Sequence, residues 1–136
     1  MMTQALKLTA LALVLGFTAL SAPIAVAADD WERLGCRNVG FAVDRDTIGV
    51  GKSEGRYKRI KLRVKVAPIE FYEVRVVFGS GSQLVIPIRQ VVEAGSESRP
   101  LDLPGDARVI RQVDLLYRSI PTFKGAAEVC VIGKQD

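Results

Sequence analysis

The 136-residue chain contains no histidine. That absence excludes Ser-His-Asp and Cys-His catalysis, and it excludes zinc or copper sites built on imidazole. Cysteine is scarce: there are two, Cys36 and Cys130, with no C-x-x-C redox motif between them. Strong charge of one sign is also missing, since 19 basic side chains stand against 15 acidic ones. Past residue 28 no apolar run is long enough to cross a bilayer.

What is present begins with an export signature. Lys7 supplies a positive n-region, and Leu8 to Leu20 is an apolar h-region of signal-peptide length. Pro23 breaks the helix, and Ala25-Val26-Ala27 reads as a cleavage site. We expect residues 1–28 to be a signal peptide and residues 29–136 to form one domain, periplasmic or secreted, with no stable membrane span after cleavage. The alternative is an uncleaved anchor, because Leu8 to Ala28 carries no charge and just reaches bilayer length. Leu34-Gly35-Cys36 has a faint lipobox character, but Asp29, Asp30, Glu32 and Arg33 separate it from the h-region.

Only Lys7 among the charged residues precedes residue 29, so the remainder carries a net charge of +3. That mild excess suits a partner bearing phosphates or carboxylates, and it equally suits simple solubility. In an oxidising compartment an even cysteine count predicts a bridge. A Cys36–Cys130 disulfide would close nearly the whole domain, which on the chain-entropy account is worth about 4.7 kcal/mol at most.

The region after residue 28 lacks helical periodicity and shows short alternating runs. In Arg59 to Val66, Ile60, Leu62, Val64 and Val66 alternate with Arg59, Lys61, Arg63 and Lys65. Period 2 with one apolar and one charged face is a strand with one side in water. Further strands are read at 34–43, 47–50, 69–78, 83–88, 99–103, 109–117 and 126–132, with Asp44-Arg45-Asp46 as a polar turn. Residues 69–78 are expected to be central, with Tyr72, Val74, Val76 and Phe78 on one face. Pro87 marks an edge or a bulge. Leu103-Pro104-Gly105-Asp106 fits a type II turn, and Gly79-Ser80-Gly81-Ser82 a hairpin loop. About eight strands at regular spacing predict an all-β chain: a single antiparallel β-sandwich, jelly-roll or immunoglobulin-like. The expected core is Ile60, Leu62, Val64, Val74, Val76, Phe78, Val113, Leu115, Val129 and Val131.

The order of motifs carries a resemblance. Trp31-Glu32-Arg33-Leu34-Gly35 is followed by Asp44-Arg45-Asp46-Thr47-Ile48-Gly49-Val50-Gly51, Lys58-Arg59-Ile60-Lys61-Leu62 and Glu70-Phe71-Tyr72. Ala94-Gly95-Ser96-Glu97-Ser98-Arg99, Leu101-Asp102-Leu103-Pro104-Gly105, Arg108-Val109-Ile110 and Leu116-Tyr117-Arg118-Ser119 complete it. The series resembles an uncharacterised family of small exported bacterial β-proteins, a domain of unknown function. The likeness implies an address and a fold, and it brings no catalytic residues.

Three sets of residues are candidates for function. Arg59, Lys61, Arg63 and Lys65, with Tyr57 on an adjoining loop, form a basic row suited to an anionic polymer. The same row is also consistent with a solvated strand face paired to Glu70 and Glu73. Asp44 and Asp46 offer hard oxygen ligands for calcium, with Asp102, Asp106 or Asp114 as further donors, although Asp equally favours turns. Trp31, Phe71, Tyr72, Tyr117 and Phe123 divide between core and ligand-stacking roles, with Phe123 placed on a loop. We expect a non-catalytic envelope-binding module for an anionic glycan or lipid surface, and no nucleic acid partner. A protein-interaction module for a periplasmic partner is the alternative, and a small hydrolase the second.

Overall fold

A computed structural model describes residues 30–40, 43–50, 55–122 and 125–135. The expected signal segment, residues 1–28, and Phe123 lie outside these. Among the described residues there are nine strands: β1 (Trp31–Asn38), β2 (Val43–Gly49), β3 (Arg59–Lys65), β4 (Ile69–Phe78), β5 (Gln83–Ile86), β6 (Gln90–Val92), β7 (Leu101–Asp102), β8 (Ile110–Ser119) and β9 (Glu128–Lys134). All pair antiparallel, in two sheets. One has the order β1-β9-β3-β7; the other has the order β2-β8-β4-β5, with β6 also on β4. The chain is an antiparallel β-sandwich, as the alternation predicts.

The core lies between the sheets. Ile60, Leu62 and Val64 of β3 and Val129 and Val131 of β9 face Val74, Val76 and Phe78 of β4 and Val113 and Leu115 of β8. Every one of the ten expected core residues is buried. At roughly 25 cal/mol per Å² of apolar surface removed from water, this layer is the main stabilising term.

Several elements differ from the sequence reading. Asp44-Arg45-Asp46 is strand rather than turn, because β2 runs unbroken along β8 from Val43 opposite Arg118 to Gly49 opposite Gln112. The 69–78 strand is central as expected, but Tyr72 does not share a face with Val74. The β4–β8 register shifts between Phe71 and Glu73, so Ile69 and Phe71 point inward before the bulge and Val74, Val76 and Phe78 after it. Alternation along 109–117 would put Val109 inward with Val113, Leu115 and Tyr117, but it is 41% exposed, for a like reason at the Val77/Phe78 shift. The segment after Gln83 is two short strands on one edge. Pro87 lacks an N–H, and Arg89 takes φ 43°, so pairing lapses across 87–89. Gly81 and Gly105 have φ of 93° and 88°, as the hairpin and the type II turn require.

The sandwich is sewn along one edge, where β1 passes β2. Arg37 Nε meets Asp46 Oδ1 at 3.0 Å. Tyr117, fully buried, donates its hydroxyl proton to Asp46 Oδ2 at 2.6 Å and accepts from Gly40 N at 3.0 Å. Ser119 Oγ donates to the Gly40 carbonyl. Burial, and then the bond to Asp46, push the Tyr117 phenol up to about 12.

Candidate functional site

The register across β1, β9 and β3 places four rows of side chains on the outer face of the first sheet. They are Trp31–Lys134–Arg59, Arg33–Ile132–Lys61, Cys36–Cys130–Arg63 and Asn38–Glu128–Lys65. Arg59, Lys61, Arg63 and Lys65 therefore share one face, as strand periodicity requires. Arg33 and Lys134 join them from neighbouring strands, giving six cations.

Their counter-ions are not Glu70 and Glu73. Those residues are on β4, in the other sheet, where Glu70 meets Arg118 at 3.7 Å. The acids come instead from the segment that flanks β3. Gly95 N and Ser98 N donate to Val64 O and Leu62 O, both at 2.8 Å, and so hold residues 95–98 along the strand. Glu97 then reaches Arg63 Nη2 at 2.7 Å and Lys61 Nζ at 3.3 Å. The bond from Arg63 is the main cause holding its carboxyl below the ordinary glutamate range, with burial opposing. Asp102 on β7 meets Arg59 Nε at 3.1 Å. With Glu128, three carboxylates stand against six cations. Arg33, Lys65 and Lys134 make no ion pair among the described residues.

Trp31 completes the face. Lys61 Nζ lies 4.2 Å from its ring centroid and Lys134 Nζ 6.0 Å, which are cation–π distances. The Cys36–Cys130 disulfide is formed and lies in the third row, joining two directly paired strand residues.

Tyr57 does not belong to the site. It is 0% exposed, and its hydroxyl donates to Glu32 Oε2 at 2.8 Å. Its backbone pairs with Arg108, which draws the ring into the core instead of leaving it on a loop. Tyr72 is an outer-face residue on the second sheet, and its bond to Glu70 is the main cause raising its phenol.

Asp44 and Asp46 sit at i and i+2 of β2. Both Asp46 oxygens are engaged, by Arg37 and Tyr117, and Asp44 Oδ1 accepts from Arg45 N. Asp102 pairs with Arg59, and Asp114 accepts from Thr47 and Gln112; among the described residues these aspartates form no group of three close enough to hold an ion. Among the described residues the close cluster of ligand-type atoms is Cys36, Glu128 and Cys130, whose sulfurs are spent in the disulfide.

The outer face of the second sheet carries a cleft of about 170 Å³ lined by Arg45, Thr47, Glu73, Arg75, Asp114 and Leu116. Arg75 Nε at this cleft is buried with no hydrogen-bond partner among the described residues. The cleft mixes both signs of charge. No described helix is long and apolar enough to cross a membrane. The disulfide is compatible with work outside the cytoplasm.

A family model with the description "Domain of unknown function (DUF2541)" matches residues 8–133. No curated protein matches the chain. Among solved structures, one reported as "Structural and functional characterization of Pseudomonas aeruginosa AlgX" is similar, with a TM-score of 0.50 and 14% identity. The match covers 77% of this chain and 26% of the AlgX chain. At that identity the likeness shows the fold alone.

Proposed function

Since the chain belongs to the DUF2541 family, whose description assigns no activity, we propose from its surface chemistry that it is a non-catalytic binding module of the cell envelope. It is exported to the periplasm or secreted, and it holds an anionic glycan or lipid surface against the outer face of β1, β9 and β3. The observation that carries this is the charge imbalance of the four rows, where Arg33, Lys65 and Lys134 form no ion pair among the described residues. A sheet face with spaced cations matches an extended polyanion better than a small substrate.

Co-sedimentation of the protein with purified peptidoglycan, and with vesicles with or without phosphatidylglycerol, across a salt series tests the proposal. Association should fade as salt rises. The triple variant Arg33→Gln/Lys65→Gln/Lys134→Gln leaves the Glu97 bridges in place. At about 1 kcal/mol per cation near an anionic surface, it should bind about 100-fold more weakly. Undiminished binding by that variant would sink the proposal. A protein partner that survives high salt would favour the interaction-module reading, with β5 as a free edge for strand addition.

A further inference from the structure

A second site lies away from the basic face, at the end of the sandwich where three loops meet. Arg56, Phe78, Gly79, Ser80, Ala107, Arg108 and Val109 border an open depression of about 440 Å³, within the range of small-ligand sites. The walls are fixed by main-chain bonds between the three segments. Tyr57 N donates to Arg108 O at 2.8 Å, Arg108 N to Tyr57 O at 3.1 Å, and Gly79 N to Val109 O at 2.8 Å. Phe78 N donates to Ser82 O at 2.9 Å across the hairpin loop. The site is therefore built before any ligand arrives.

Its chemistry is one-sided. The Arg108 guanidinium carbon lies 3.6 Å from the centre of the Phe78 ring, and Nη2 donates to Ser82 Oγ, so the fork is held in one orientation. Arg111 Nη2 donates to Gly79 O at 3.2 Å at the margin. Arg56 stands exposed at the rim. No carboxylate is among the described lining residues, and none of the three arginines forms an ion pair among the described residues. Arg56 and Arg108 in the lining, with Arg111 at the margin and no carboxylate among the described lining residues, make a positive environment that an anion would offset. Phe78, Ala107 and Val109 give the rest of the cavity an apolar lining.

We propose that this cavity binds an oxyanion, a carboxylate or phosphate monoester, carried on a small apolar body. The oxyanion sits in the arginine fork and the body rests against Val109 and Ala107. A planar guanidinium already stacked on an aromatic ring loses little freedom on pairing with it.

The test is an NMR titration of the ¹⁵N-labelled chain with benzoate, phenyl phosphate, acetate, inorganic phosphate and benzyl alcohol. Saturable shifts should appear at Gly79–Ser82 and Ala107–Val109. The ring-bearing anions should bind about tenfold tighter than acetate and inorganic phosphate, from apolar burial. A preference for benzoate assigns a carboxylate ligand, and a preference for phenyl phosphate a phosphate ester. Arg56→Gln changes an exposed side chain, so the spectrum should stay folded while binding weakens about fivefold. Arg33→Gln/Lys65→Gln/Lys134→Gln should bind these probes unchanged, which separates this site from the basic face. The proposal is overturned if no anion gives saturable shifts, if benzyl alcohol binds as tightly as benzoate, or if Arg56→Gln leaves affinity unaltered.

Discussion

Tyr117 joins β8 to the β1–β2 connection through a single hydroxyl, bonded to Asp46 and to Gly40 N. Tyr117→Phe removes both bonds, one of them to a carboxylate, so unfolding in urea should show a loss of about 1–3 kcal/mol. The phenol also titrates higher in the fold, about 12 against 10.0. Its contribution is fully present below pH 10 and is lost as pH rises toward 12, because the folded state then holds the proton that the unfolded chain has released. Between about pH 10 and about pH 12 the wild type should lose stability that Tyr117→Phe does not; equal slopes would refute this assignment. Gly35 is a second single-residue constraint. A Cβ there would lie 2.5 Å from the Gly49 carbonyl oxygen, where β1 passes closest to β2. Gly35→Ala should therefore lower stability by about 1–3 kcal/mol, read from the shift in the urea midpoint. Neither role is legible in the sequence, since both depend on an edge where residues far apart in the chain meet. Tyr57 misleads for the same reason: its loop neighbours read as exposed, while the pairing with Arg108 and the bond to Glu32 bury it.

At the scale of elements, period 2 made β3 legible, because a one-sided strand sorts its side chains in the way Arg59–Lys65 does. It misassigned Tyr72 because a bulge adds one residue and reverses the phase, and no turn residue announces it. It missed the Asp44–Asp46 portion of β2 because an edge strand exposes polar groups that look like a turn. The cysteine count, by contrast, was enough to predict the bridge. Cys36–Cys130 ties β1 to β9 across 94 residues of chain, in addition to the hydrogen bonds those strands already share. Removing it as Cys36→Ser/Cys130→Ser should cost about 2–4 kcal/mol while leaving the far-ultraviolet spectrum of a sheet. A double variant as stable as the parent would show the bridge to be redundant with the ladder.

The whole molecule decides which charges neutralise which. Sequence adjacency puts Glu70 and Glu73 close to the basic row, but the chain crosses to the other sheet between β3 and β4 and takes them out of reach. Glu97, 34 residues from Arg63, arrives instead because the chain comes back along the outer edge of β3. This makes Glu97 the internal competitor of any anion that lands on the face. Glu97→Gln keeps the shape of the side chain, raises the net charge by one, and releases Lys61 and Arg63. Two effects of opposite sign follow. The carboxyl is more acidic in the fold, so its share of stability is present above the ordinary glutamate pKa of 4.5 and is lost as pH falls through the lower folded value. The variant lacks that share at neutral pH, and its stability should fall less than the parent's on acidification. Binding moves the other way. With two cations uncovered, vesicles containing phosphatidylglycerol should retain Glu97→Gln about fivefold or more above the parent at low salt, and the advantage should shrink as salt rises. Loss of stability alone cannot produce a salt-sensitive gain in affinity, so a variant that binds no tighter than the parent would remove the first sheet's outer face as the binding surface.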